Sequence, residues 1–156
     1  MVWCWMKEDI FYMKIAYKEA KKAYKKGEIP VGCVIVDEQD GKILSKAHNL
    51  RDNTNITVNH AEIIAIIKAN KIIKNWRLVN CIMYSTLKPC KMCMEVIKSS
   101  KIKKVIYAAQ PKVKVKNKRP VIRKIESKSV SYECSKIITT AFLKIRKEKL
   151  KIIQTN

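Results

Sequence analysis

The chain has 156 residues, enough for one domain (1–156) with a real core. Hydrophobic residues make up 47% of it, so disorder is not the default, and no run approaches the ~20 apolar residues of a membrane span. Thirty-four Lys and Arg against 13 Asp and Glu leave a net charge of +21. AT-rich coding would enrich Glu together with Lys, so the imbalance points to a polyanionic partner, most simply RNA or DNA.

The apolar start, Met1-Val2-Trp3-Cys4-Trp5-Met6, is cut short by Lys7-Glu8-Asp9. It lacks a basic leader and a cleavage site, and does not read as a signal peptide. Residues 7–26 follow as an amphipathic helix, with Ile10, Met13, Ala16/Tyr17, Ala20 and Ala23/Tyr24 repeating at three and four. Gly27 is its stop. Residues 31–37 form a buried strand, Asp40-Gly41 a hairpin turn, and residues 42–47 the partner strand. A second helix covers 60–70, a strand 81–86, a helix 90–98 and a strand 103–108. Residues 121–125 offer a fifth strand. A final helix covers 132–149, with Cys134, Ile137/Ile138, Ala141/Phe142 and Ile145 on its apolar face.

Two motifs stand at helix starts in this series: His60-Ala61-Glu62 and Pro89-Cys90-Lys91-Met92-Cys93. One imidazole and two thiols supply three ligands to a zinc ion, and a zinc with only three protein ligands keeps its fourth position for water. Cys90 and Cys93, three apart, share one helix face. Pro89 suits a helix start, and the positive end of the helix dipole favours thiolates. Glu62, two residues from the histidine, is placed to move the water's protons. H-x-E followed by P-C-x-x-C is the signature of zinc nucleobase deaminases, which remove an amine from C6 of adenine or C4 of cytosine by hydrolysis.

A structural zinc with a fourth ligand from His48, Cys4, Cys33, Cys81 or Cys134 is the bland alternative. Cys33 and Cys81 lie in apolar runs and read as buried small hydrophobes. Six cysteines without a secretion signal fit a reducing, cytoplasmic setting, where metal sites are favoured over disulfides. The segment 111–124 carries Lys112, Lys114, Lys116, Lys118, Arg119, Arg123 and Lys124 and no acid. It reads equally as a solvated strand edge or as an arm that tracks phosphates.

The motifs Glu28-Ile29-Pro30-Val31-Gly32, His48-Asn49, His60-Ala61-Glu62, Asn75-Trp76-Arg77-Leu78, Pro89-Cys90-Lys91-Met92-Cys93 and Glu133-Cys134-Ser135 run in order along nearly the whole chain. In them the sequence resembles bacterial tRNA-specific adenosine deaminases of the TadA type, within the cytidine deaminase superfamily. The resemblance implies an α/β fold of three layers, α-β-α, with a central five-stranded mixed sheet and the zinc site at two helix N-termini. It implies a homodimer that converts adenosine to inosine at the wobble position of the tRNA anticodon arm. It also implies one zinc per chain on His60, Cys90 and Cys93, proton shuttling by Glu62, and base binding by Asn49 and Ala61. Lys112, Lys114, Lys116, Lys118 and Arg119 are the candidate nucleic-acid contacts.

Three departures bear on substrate choice. The family usually reads Leu-Glu-Pro-Cys, against Leu87-Lys88-Pro89-Cys90. Ala108-Ala109-Gln110-Pro111 lacks the acidic residue the family places there. The stretch up to Glu133-Cys134 is shorter by roughly ten residues, counted by motif alignment. A cytidine deaminase on single-stranded DNA or RNA therefore stands as an alternative, with an inactive RNA-binding subunit of a deaminase pair as a third. The intact Glu62 argues against the last.

Overall fold

A computed structural model describes residues 2–111 and 121–154, with side chains at 7–111 and 122–148. The elements are α1 (Val2–Lys25), β1 (Gly32–Asp37), β2 (Ile43–His48), α2 (Arg51–Thr54), α3 (Ala61–Ile73), β3 (Cys81–Leu87), α4 (Lys91–Ser99), β4 (Lys104–Ala109), β5 (Val121–Lys124) and α5 (Lys128–Gln154). The five strands lie in the order β2-β1-β3-β4-β5. β1 runs antiparallel to both β2 and β3, whereas β3, β4 and β5 are parallel. The expected three layers around a mixed sheet are present. No helix among the described residues is long and apolar enough to cross a membrane.

The central strands are apolar at nearly every position because both faces of the sheet are covered. Alternate residues enter different cores. Cys33, Ile35, Cys81, Met83 and Val105 face α3 and α4, packing on Ala61, Ala65, Ile66, Cys93, Met94 and Ile97. Val34, Val36, Ile82, Tyr84 and Ile106 face α1 and α5, packing on Met13, Ala16, Val130 and Cys134. Cys33, Cys81 and Cys134 are buried free thiols, as their apolar surroundings require. Phe142, expected on the apolar face of the last helix, is 52% exposed, while its neighbour Ala141 is buried.

The helix boundaries differ from expectation at their ends. α1 already begins at Val2, α3 runs on to Ile73, and α5 starts at Lys128, one turn before the periodic apolar residues. α2 has no apolar periodicity and buries no residue, so no pattern announced it. Of the basic segment, Arg123 pairs with the buried carboxylate of Asp9 and is a structural cation. Lys112, Lys114, Lys116, Lys118 and Arg119 lie outside the described residues.

Two glycines set the path into the site. Gly27 (φ 77°) ends α1 in a Schellman motif, with the N–H of Gly27 donating to Tyr24 O (3.1 Å) and that of Glu28 to Ala23 O (3.0 Å). The chain then turns and enters β1 at Gly32, where α1 crosses the sheet on Ala16 and Ala20, both fully buried. A Cβ at position 32 meets Ala16 O at 1.9 Å and Ala20 N at 2.5 Å, both of them helix backbone. Gly32→Ala is therefore expected to destabilise the protein by ~3 kcal/mol, the upper end of overpacking costs, read as a lower urea midpoint.

Candidate active site

The zinc motifs converge because both helices begin on a ligand. His60 is the N-cap of α3 in an extended conformation (φ −75°, ψ 153°), and Cys90 is the N-cap of α4 (φ −71°, ψ 172°). Neither side chain caps its own helix. Each carbonyl accepts the first helical bond, from Ile64 N (3.1 Å) and Met94 N (2.9 Å), leaving the imidazole and the thiol free to turn toward one point. Cys93 reaches that point from the first turn of α4. The shared face expected from the three-residue spacing thus arises from an extended cap plus one helical turn.

Nδ1 of His60 lies 3.5 Å from Cys93 Sγ and 3.7 Å from Cys90 Sγ. A tetrahedral zinc with Zn–N of ~2.05 Å and Zn–S of ~2.3 Å sets that separation at about 3.6 Å, so the donor set fits the ion. All three donor atoms fall within 4.8 Å of one another, and none of His48, Cys33, Cys81 or Cys134 joins them. His48 is engaged elsewhere, with Nδ1 3.0 Å from Glu19 Oε2 and Nε2 3.1 Å from Lys26 Nζ. Cys4 lies outside the described side chains.

Glu62 stands in the first turn of α3 with 4% exposure. Burial pushes its carboxyl up to about 7; its own backbone N–H counteracts this, while the nearby Cys90 adds to it. A carboxylate poised near neutrality can accept a proton and release it again. The Cys90 thiol is lowered to about 5, chiefly by the hydrogen bond from Cys93, whose own thiol is raised as the donor of that bond. The lowered Cys90 value, like the orphan N–H groups of the helix start, suits a thiolate that takes up a cation, and binding a metal would release the proton that Cys93 holds.

These groups open on a cleft of about 140 Å³ lined by Ile29, Val31, Asn49, Arg51, His60, Ala61, Glu62, Leu87, Lys88 and Cys90. The structure therefore brings together His60, Glu62, Cys90, Asn49 and Ala61 around one cavity, with Cys93 buried behind it. Ala61, the first residue of α3, carries an N–H that the helix leaves without an intrahelical acceptor. Residues not anticipated as part of the site are Arg51 and Glu28. Arg51 follows β2 and Lys88 follows β3, so the two cations rise on opposite sides of β1 at the cleft. Glu28, 1% exposed, accepts hydrogen bonds from Asn49 and Asn53 behind the wall. Its sequence signal was an acid set between a helix-stopping glycine and an apolar strand; Arg51 had none beyond its charge.

Comparison with known proteins agrees with this geometry. Residues 6–109 match the family model for the cytidine and deoxycytidylate deaminase zinc-binding region. The chain is 44% identical over 104 residues to a tRNA-specific adenosine deaminase of Bacillus subtilis, a stretch that spans 63% of that relative's length. It is 38% identical over 145 residues to a tRNA-specific adenosine deaminase of Buchnera aphidicola, covering 86% of this chain and 93% of that one. Among solved structures, one from studies of A-to-I editing by tRNA:A34 deaminases superposes with a TM-score of 0.70 at 28% identity, covering 80% of this chain and 99% of that one. A guanine deaminase from Bacillus subtilis matches with a TM-score of 0.60 at 36% identity over 64% of this chain and 63% of that one. The cap-borne histidine and thiols, the buried glutamate beside them and the match over residues 6–109 lead to one conclusion: the chain belongs to the zinc-binding cytidine and deoxycytidylate deaminase family.

Proposed function

We propose that the protein catalyses hydrolytic deamination of adenosine to inosine in tRNA, at the wobble position of the anticodon. The observation that carries the reading is the His60, Cys90 and Cys93 trio with Glu62 beside it on one cleft. The names of the relatives from Bacillus subtilis and Buchnera aphidicola support adenosine as the base and tRNA as its carrier.

In this reading His60, Cys90 and Cys93 would hold a zinc ion, which would supply a water of near-neutral pKa. Glu62 would take the attacking water's two protons in turn, passing one to the ring nitrogen as the oxygen joins C6 and the other to the amine, which leaves as ammonia as the C6–N bond breaks. Asn49 and Ala61 contact the base, which must be unstacked to enter the cleft. The enzyme works as a cytoplasmic homodimer. Exposed Ile67, Ile72 and Trp76 on and after α3 support self-association, which light scattering checks.

The test offers the zinc protein an anticodon stem-loop with adenosine at the wobble position, single-stranded DNA and free guanine. Inosine at the wobble position is the expected product. C-to-U conversion, or xanthine alone, would reject the reading.

Arg51 and Lys88 favour a polyanion over a free base. Replacing each with Gln is expected to raise KM for the stem-loop and to flatten the slope of log K against log salt by ~0.7–0.9 per lost phosphate contact. Saturated kcat should stay within about threefold, because neither residue reaches the reacting atoms in this scheme. The same measurement on a Lys114, Lys116 and Lys118 triple Gln variant decides whether the basic segment tracks phosphates. A slope equal to wild type makes those lysines a solvated edge.

A further inference from the structure

Glu28 is a buried carboxylate on which the metal chemistry makes no demand. Only 1% of it is exposed, yet several N–H groups converge on it. Asn49 Nδ2 donates to Oε2 at 3.0 Å, and Asn53 donates to Oε1 from both its backbone N and its Nδ2, each at 2.8 Å. Burial works to raise its pKa, but the bonds from Asn53 and Asp52 together with the nearby His48 outweigh this and hold it below the usual carboxylate value. Glu28 is therefore ionised at neutral pH, and an ionised carboxylate only accepts hydrogen bonds.

The consequence falls on Asn49. The oxygen and nitrogen of a primary amide are nearly isosteric, so a half-turn about the last side-chain bond exchanges an acceptor for a donor. With Glu28 as its neighbour the half-turn is forbidden, since it would set Oδ1 against the carboxylate. The Asn49 backbone is pinned as well, its N–H donating to Val31 O at 3.0 Å. Among the described residues Oδ1 has no protein donor, and the one sealed polar side-chain atom without a partner is Ser131 Oγ. Oδ1 therefore opens on the cleft that Asn49 lines.

We propose that Glu28 is a positioning residue that locks the Asn49 amide in one orientation, so that the cleft presents an acceptor oxygen in a fixed place to the incoming base. The Schellman turn at Gly27 delivers Glu28 to this point, and Asn53 ties the lock to α2. The part that concerns the base rests on the proposed deamination; the lock itself does not.

Two measurements test it. The first needs no substrate. In the amide spectrum of the zinc-loaded protein, the Asn49 side-chain signal is identified by its loss in Asn49→Ala. One of its protons is expected to exchange with solvent at least ~10-fold more slowly than those of exposed asparagines, and Glu28→Gln to abolish that protection. Equal exchange in wild type and Glu28→Gln overturns the lock, whatever the protein's substrate. The second is a double-mutant cycle on the wobble-adenosine stem-loop, with zinc content verified in every variant. Hydrogen-bond losses of this kind predict ~100-fold lower kcat/KM for Asn49→Ala and ~30-fold for Glu28→Gln. If Glu28 acts through Asn49, the double variant stays near ~100-fold; a merely structural Glu28 gives the product, ~3,000-fold, and overturns the proposal. Should Glu28→Gln fail to fold, Glu28→Asp, which keeps the charge but withdraws it by one methylene, replaces it in both experiments with the same expected signs. A wild-type protein inactive on the stem-loop rejects the deamination reading alone, because the exchange measurement still decides the lock.

Discussion

Glu62→Gln is expected to keep the fold and the zinc while losing nearly all turnover. The amide has the same shape as the carboxylate, and His60, Cys90 and Cys93 are untouched, so metal analysis should still find one zinc per chain. Holding a carboxyl at 4% exposure is costly, so the neutral amide is not expected to lower the melting temperature. An amide, however, cannot accept the water's proton. A general acid–base group contributes ~10²–10⁴ in rate, and one group serving several transfers should reach the upper end or pass it. Because the proposed mechanism sets the carboxylate on the reacting atoms, the loss should appear in kcat, with KM for the stem-loop changed little. Single-turnover measurement of inosine formation reads this directly. Wild-type-like turnover in this variant would sink the mechanism.

Loss of a zinc ligand is expected to be as severe for activity and to cost stability too. Changing a residue that only hydrogen-bonds a metal's ligand already reduces affinity by ~10–100-fold. His60→Ala or Cys90→Ala, each removing one of three protein ligands, should exceed that and leave the purified protein without metal. A metal present at ~1,000 times its Kd stabilises the native state by ~4 kcal/mol. At ~2–4 °C per kcal/mol for a chain of this size, chelation should lower the melting temperature by roughly 10 °C. Added zinc should restore both stability and turnover to chelated wild type but not to His60→Ala. Recovery of full activity by the chelated protein without metal would remove zinc from the chemistry.

The candidate site was legible in the sequence because metal ligation and proton transfer depend on residue type at short spacing. His60-Ala61-Glu62 and Cys90-Lys91-Met92-Cys93 each lie within one helix start, where local backbone geometry aims the side chains without help from distant contacts. The strands were legible for a similar reason. Burial on both faces leaves an unbroken apolar run, and a run such as Cys33 to Val36 between turn residues has few other uses. Element ends were less so, since fraying and capping are settled by neighbours, and α2 is a single turn with no buried residue.

What only the tertiary structure decided is which residues meet across the chain. Thirty positions separate His60 from Cys90, and their approach to 3.7 Å depends on α3 and α4 packing side by side on one face of the sheet. Glu28 and Asn49 sit 21 residues apart, and nothing in either short motif says that one carboxylate will bind both Asn49 and Asn53. Arg51 and Lys88 become two sides of one cleft because β1 lies between β2 and β3. Sequence by itself determined the candidate metal ligands, the metal they suit and the layers that carry them, because those follow from chemistry and local periodicity. The placement of the groups that orient and admit a substrate follows from strand order and helix crossing, which are set by packing over the whole chain.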